Sequence, residues 1–335
     1  MTHRRHPTRA VLKRYINLQF ALIFFSCKLL FSVHAHDKGV DTLKFAVIQR
    51  RLGPGVGAPV EIQPGGRIPR AEEFAPQTPQ ISLELGKYEI RLAETMAERE
   101  AACRLRFKVF NIELGEGLES SYQTGMDQDQ FDLFCDHLIV EDRSRRTTVG
   151  TYRMQSGNVA ARKFGYYSEQ EFDFSPYETI RGEVLELGRA SIDRDRRTSE
   201  VLTLLWRGIA LYARFYHLRY LIGCSSLNSR NPAEGWSMHC QLEPFLAPET
   251  LRTSPTRPYE LPQTTDVPDQ VKVPKLLKTY IAVGARICGA PAWDREFGTI
   301  DFLTLLDLVQ LSPAARNRFM PDSASSAASA PVCAY

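Results

Sequence analysis

The 335-residue chain has no CxxC and no Cys/His pair at metal-ligand spacing, although seven cysteines stand at positions 27, 103, 135, 224, 240, 288 and 333. That scatter offers no disulfide framework and fits free thiols, buried or half-buried, in a reducing compartment. There is no GxSxG, no P-loop, no GxGxxG and no HExxH, which removes the commonest hydrolase, nucleotidase, dinucleotide-binding and zinc-protease chemistries. Charge of one sign is also missing. The formal net charge is +3, and residues 1–85 carry 12 Lys/Arg against 6 Asp/Glu, so the remainder is slightly acidic. A nucleic-acid binder is not expected.

No apolar run is clean. Tyr15 to Ala35 follows a basic start and resembles a signal-peptide core ending in Val33-His34-Ala35, but Asn17, Gln19 and Lys28 interrupt it. A central Lys costs about 2.5–3.5 kcal/mol on insertion scales. Residues 52–80 are rich in Gly and Pro and read as a disordered linker. Residues 1–85 are therefore a basic and apolar leader plus linker: a secretion signal, a membrane-associating leader, or an extension ahead of the true start. Residues 321–335 form a low-complexity, disordered Ser/Ala tail.

What is present lies between, in an expected folded domain over residues 86–320. "KYEIRLA" alternates as a strand. Thr95 and Glu98 make a capping box for a helix that runs to Leu114 and stops at Gly115 and Gly117. That helix sets Arg106 and Phe110 four apart on one face. "HLIVED" and "TTVGTYRMQ" read as an antiparallel hairpin joined by "RSRR". An aromatic, acidic loop leads to the strand "EVLELGRASI". Thr198 or Ser199 caps the long apolar helix after it. A further strand (220–227), a short helix, a Pro/Thr-rich surface excursion (247–273), a helix over 274–288 and the apolar strand "FLTLLDLVQL" complete the order. This is mixed α/β without repeated βαβ units.

The chemistry-bearing residues interrupt that apolar pattern. Arg153, Glu186 and Arg189 stand in apolar strands, where an unpaired charge is expensive. With Arg106, Asp129 and Asp132 they predict a partly buried ion-pair network lining a cleft, an arrangement that can be purely structural. Glu186 and Arg189 differ by an odd number and would face opposite sides of a regular strand. A bulge at Gly188 brings them to one side and splays the strand from its neighbour. A splayed pair leaves backbone N–H groups that can hold a thioester carbonyl and its oxyanion. Arg194, Arg197, Thr198 and Ser199, in the basic turn and at the helix N-terminus, form an anion site suited to a phosphopantetheine phosphate.

Several stretches, "LRFKVFNIELG" (105–115), "DQFDLFCDHLIVED" (129–142), "LELGRASID" (185–193) and "LLKTYIAVGARICGAPAWDREFGTIDFLTLLDL" (276–308) among them, resemble the GNAT acyltransferases. Within these, the chain looks like the ornithine-lipid-forming L-ornithine N-alpha-acyltransferases, often labelled hemolysin-like. A more distant likeness is to acyl-homoserine-lactone synthases, whose Arg, Phe, Asp, Asp, Arg and Glu-x-x-Arg pattern maps onto Arg106, Phe110, Asp129, Asp132, Arg153, Glu186 and Arg189. The tryptophan those synthases carry after the phenylalanine is absent; Leu114 and Gly115 stand there.

The resemblance implies a GNAT fold, with a central, mostly antiparallel mixed sheet, flanking helices and splayed strands at the thioester site. It implies an N-acyltransferase moving a 3-hydroxyacyl chain from acyl carrier protein to the α-amino group of L-ornithine. No cofactor beyond the donor's phosphopantetheine thioester is expected. A separate O-acyltransferase would complete the lipid. Acyl carrier protein places the enzyme in the cytoplasm, with peripheral contact at the inner membrane allowed. Glu186 is the expected base. Arg189 and Arg153 orient the site or bind the acceptor carboxylate. Asp129 and Asp132 either pair with Arg106 or receive the acceptor's cationic side chain. Another amine acceptor, a homoserine-lactone product, a coenzyme-A-dependent acetyltransferase, and an exported membrane-active protein are the competing readings.

Overall fold

The computed structural model describes residues 78–320 apart from 265–267 and 269. The leader and the linker up to residue 77, and the tail from 321, lie outside the described residues. The described chain folds onto a nine-stranded sheet: β1 (Ser82–Leu85), β2 (Tyr88–Leu92), β3 (Asp136–Asp142), β4 (Thr147–Ser156), β5 (Val184–Ile192), β6 (Tyr220–Leu227), β7 (Arg286–Ile287), β8 (Ala292–Asp294) and β9 (Thr299–Asp307). The spatial order is β1-β2-β3-β4-β5-β6-β9-β7, with β8 paired to β9. Every pairing is antiparallel except β5 with β6. β1 lies ahead of Gly86 and buries Leu83, so the sheet starts earlier than the expected boundary.

The helices are α1 (Met96–Phe107), α2 (Ser121–Thr124), α3 (Gly157–Arg162), α4 (Ser199–Phe215), α5 (Pro232–Leu242), α6 (Lys275–Val283) and α7 (Pro313–Phe319). α1 starts at the Thr95 capping box, with Thr95 Oγ1 accepting from the Glu98 amide and Glu98 accepting from the Thr95 amide. It continues as a π-helical segment over Lys108–Leu114, closed by Gly115 in the left-handed region (φ 67). The widened turn replaces the uniform α-helix expected there, so the four-residue spacing no longer stacks Phe110 above Arg106. α6 is likewise shorter than expected. Gly284 (φ 114) stops it, and Arg286–Ile287 peels off to pair with β9.

α4 covers one face of the sheet. Its Val201, Leu204, Leu205, Ile209 and Tyr212 pack with Ile90, Leu138, Val140, Tyr152 and Met154 in one buried cluster. Gly208 permits this closeness, because a Cβ there would lie 2.6 Å from Ile90 Cδ1. The alternate residues, Ile139 on β3 and Arg153 on β4, face the other side, where α1 lies. Farther along that side, Tyr166, Phe172, Phe174 and Tyr177 of the aromatic loop pack on Ile222, Leu303 and Leu305. Residues 247–261 were expected on the surface. They instead dock against this layer through Ala247 and the Thr253 amide, which donates to the Cys288 carbonyl at 2.7 Å, while Leu261 packs in a separate cluster with Met238, Ile300 and Phe302.

Candidate active site

β5 decides the geometry. Leu185 and Leu187 pack with the α4 side, and so do Ala190 and Ile192. An odd-numbered pair and an even-numbered pair share one face, so the strand holds an extra residue between them. The ladder agrees: Thr151 opposes Ser191 while Arg153 opposes Gly188. This is a bulge of the predicted kind, displaced by one residue, because Arg189 rather than Gly188 takes the left-handed backbone (φ 53). The shift puts Glu186 and Arg189 on the α1 side together. It also coincides with a split in the sheet. β5 pairs with β6 only over Val184–Glu186 against Tyr220–Ile222, after which β5 stays with β4 and β6 stays with β9. Gly223 marks the fork: a Cβ there would sit 2.3 Å from the Leu187 carbonyl oxygen.

Below the fork is an alternating set of three arginines and three aspartates. Arg106, fully buried, grips Asp132 with two bonds of 2.7 and 2.9 Å and reaches Asp127 Oδ2 at 3.4 Å. Arg153 Nη1 donates to Asp129 Oδ1 at 2.6 Å and lies 3.4 Å from Asp132. Arg189 donates to Asp129 Oδ2 at 3.1 Å and lies 3.5 Å from Asp127. Burial would raise the Asp129 and Asp132 carboxyls, but their arginines outweigh it and hold both below the ordinary carboxylate range, Asp132 strongly. His137, 3.3 Å from Asp132, is pushed by burial down to about 4 and stays neutral near pH 7.

Asp132 thus pairs with Arg106, whereas Asp129 pairs with Arg153 and Arg189 instead. Asp127, not among the expected site residues, completes the set. It follows Met126 in an unpatterned loop, and its signal is only its place beside Asp129.

Glu186 is buried, and its carboxylate takes three hydrogen bonds from the aromatic loop. The Tyr167 amide donates at 2.8 Å, the Ser168 amide at 2.8 Å and the Ser168 hydroxyl at 2.7 Å. Burial raises this carboxyl, and these three bonds only partly offset the rise. Tyr167 in turn lies under Arg189, the guanidinium carbon 4.7 Å from the ring centroid, and Phe297 is 4.3 Å from the same carbon. Glu186 and Arg189 therefore meet through Tyr167 and not by a direct ion pair.

The anion turn is built differently from its expected form. Arg197 is folded back on Glu113 by two bonds of 2.6 and 2.7 Å. The Thr198 hydroxyl is the N-cap of α4, accepting from the Val201 amide. Arg194 and Ser199 are exposed at the turn. The Arg197 guanidinium is committed to Glu113 and to the Ile192 carbonyl, and the Thr198 hydroxyl to the first turn of α4, so neither is poised for a phosphate in this arrangement. Phe110 is half-buried in the π-helical segment, and its carbonyl accepts from the Gly115 and Glu116 amides.

A second group of acids lies on the far side of Ser168. Glu171, Asp301 and Cys224 place one ligand atom each within 4.8 Å of one another. Asp294, in the hairpin of β8 with β9, acts on Asp301, and Asp301 in turn adds to the burial that raises Glu116, just past the π-helical segment. Sequence reading missed the four acids, since they lie up to 185 positions apart and only the fold gathers them. The Cys224 thiol is raised by burial and then by Glu171 and Asp301, so it stays protonated and is a poor nucleophile.

Residues 105–207 match the Acetyltransferase (GNAT) domain. The L-ornithine N(alpha)-acyltransferase of Brucella abortus (strain 2308) is 31% identical over 265 residues, covering 70% of this chain and 92% of that one. The L-ornithine N(alpha)-acyltransferase of Rhodobacter capsulatus is 29% identical over 248 residues, covering 68% and 93%. Among solved structures, the AHL synthase LasI overlaps at 11% identity and a TM-score of 0.41, over 70% of this chain and 94% of that one. The split, bulged sheet with helices on both faces is a GNAT acyltransferase fold, and the chain belongs to the L-ornithine N(alpha)-acyltransferase family.

Proposed function

We propose that this acyltransferase moves a 3-hydroxyacyl group from the phosphopantetheine thioester of acyl carrier protein to the α-amino group of L-ornithine, giving lyso-ornithine lipid. The observation that carries the reading is the fork at Glu186 and Gly223, with a carboxylate and a guanidinium brought to one side by the bulge. The names of the relatives supply the acceptor. No cofactor beyond the donor thioester is needed, and a separate O-acyltransferase would use the product.

An α-amino group titrates near 7.7–8.0 and is mostly protonated at neutral pH, so it must lose a proton to attack. Glu186 takes that proton, directly through the free lone pair of Oε2 or through the Ser168 hydroxyl. Its raised pKa suits a proton acceptor. Nitrogen attacks the thioester carbon, and the oxyanion is held by backbone N–H groups on the edge of β5 beyond the fork. Collapse breaks the C–S bond, and the second proton shed by the nitrogen goes to the departing thiolate, which leaves as the carrier thiol. Arg189 and Arg153, always charged, orient the acceptor carboxylate and the loop around Tyr167. The exposed turn at Arg194 and the α4 N-terminus meet the phosphopantetheine phosphate.

The test uses the full chain with 3-hydroxyacyl-loaded carrier protein, the matching coenzyme A thioester and a panel of amino acids, read by product mass. An N-acyl-ornithine formed from the carrier-protein donor is expected. A product formed only from coenzyme A, or only on another amine, would refute it.

A further inference from the structure

The acids beyond Ser168 are costly as they stand. Glu171 is 1% exposed and Asp301 4% exposed. One oxygen of each, Glu171 Oε1 and Asp301 Oδ1, is buried with no hydrogen-bond partner among the described residues. An orphaned buried acceptor carries its desolvation penalty, and the other oxygens are held by Ser226 and Thr299 on Asp301 and by a hydrogen bond between the two carboxyls, which share a proton where no cation is bound. Burial and then Asp301 and Asp294 drive the Glu171 carboxyl well up, and burial and then Asp294 drive Asp301 up to about 6. The cation that acts on Glu171 is Arg189, whose guanidinium already serves Asp127 and Asp129.

The fold nevertheless builds this place with care. The Glu171 carbonyl accepts from the Thr256 amide at 2.8 Å, and the Gln170 carbonyl accepts from the Thr256 hydroxyl at 2.9 Å, so the 253–256 segment pins the loop. Asp301 faces Ser226 across the β6 and β9 ladder, and Thr299 opposes Asp294.

We infer that Glu171 and Asp301, beside the Cys224 sulfur, form the pocket for the side-chain ammonium of the acceptor amino acid. This rests on the ornithine reading above and names the residues that would make it selective. An ammonium carries three donors and no acceptor. The three ligand atoms are spaced so that one small cation can touch all of them at hydrogen-bond distance. It neutralises two carboxyls that burial otherwise keeps protonated. The pocket also sits where the chemistry requires it. Glu186 Oε1 is 2.7 Å from Ser168 Oγ, Ser168 Oγ is 3.4 Å from Cys224 Sγ, and that sulfur is 3.8 Å from Glu171 Oε2. One hydroxyl and one thiol separate the base for the α-amine from the acids for the distal amine. Asp294 adds negative field beside both acids.

The test compares the full-length protein with Glu171→Gln and Asp301→Asn variants, offering ornithine and norvaline, the same acid without the terminal amine. The wild type should favour ornithine by about 10²-fold or more in kcat/KM, as a buried charge pair can enforce. Each variant should lower that ratio by a similar factor, with the change falling on the KM for ornithine. Circular dichroism establishes that each variant is folded. Thermal shift supplies an arm that needs no turnover: saturating ornithine, but not norvaline, should raise the melting temperature of the wild type and not of the variants. Failure of the wild type to acylate ornithine would refute the proposed function and leave this arm to judge the pocket. Unchanged discrimination in folded variants overturns the inference. So does one equivalent of a divalent metal held by the wild type, lost in the variants and required for ornithine binding.

Discussion

Asp132→Ala is the sharpest test of the network under the fork. The substitution removes both of the bonds that Arg106 makes to a carboxylate at 2.7 and 2.9 Å. It also removes the 3.4 Å approach to Arg153 and the acceptor that the Asp129 amide uses at 2.9 Å. Arg106 is fully buried and keeps only Asp127, at 3.4 Å and through its carbonyl. Breaking one partner of a buried pair costs about 3–5 kcal/mol. For a domain of this size that lowers the melting temperature by about 6–20 °C. Urea unfolding followed by tryptophan fluorescence (Trp206, Trp236 and Trp293) measures it.

The sign with pH follows from the direction of the shift. The Asp132 carboxyl is held below its ordinary value of 3.8, so its stabilisation is present above that value and fades as pH falls toward the folded one. The gap between wild type and variant should therefore narrow below about pH 4. A double-mutant cycle with Arg106→Met should return a coupling of about 2 kcal/mol. A loss under about 1 kcal/mol at pH 7, the range of exposed pairs, would show that the buried network does not hold the site together.

Three further outcomes are expected. Asp301 and Glu116 have raised carboxyls, about 6 and about 7, so the stability they contribute is full below their ordinary values and lost as pH rises through the folded ones. Asp301→Asn should therefore stabilise the ligand-free protein at pH 8 by up to about 3 kcal/mol, with no gain near pH 4, in melting curves; a destabilised variant at pH 8 would contradict the assignment. Glu186→Gln turns an amide NH₂ toward the Tyr167 or Ser168 N–H groups, donor against donor. Turnover should drop by about 10²–10⁴-fold, and full turnover in a folded variant would remove Glu186 from the mechanism. Gly223→Ala forces a Cβ to within 2.3 Å of the Leu187 carbonyl. It should cost about 1–3 kcal/mol in urea titrations, and a neutral effect would mean the fork can open without strain.

Much of the fold was legible because local signals are self-contained. The Thr95 capping box, the hairpin of β3 and β4 and the cap at Thr198 depend on residues a few positions apart, and each is where its pattern placed it. The bulge was legible by parity: charges three apart on an apolar strand demand an extra residue if they are to cooperate. Its exact seat was not, because φ at Gly188 or at Arg189 is chosen by the pairing of Thr151 and Arg153 across the ladder. The π-helical turn was invisible for a like reason, since Lys108–Leu114 reads equally well as ordinary α-helix and packing around it decides.

Sequence by itself determined the residue types, their alternation in the strands and the caps, and so the presence of a charged site on an apolar sheet. Only the tertiary structure decided which charges neutralise one another. Arg106 reaches Asp127 and Asp132, more than 20 positions away, while Arg197 turns to Glu113 instead of solvent. Glu171 and Asp301, 130 positions apart, are brought together beside Cys224. The physical reason is that burial multiplies the strength of whichever pairing the fold permits. That permission is a matter of distance in space, which spacing along the chain does not record.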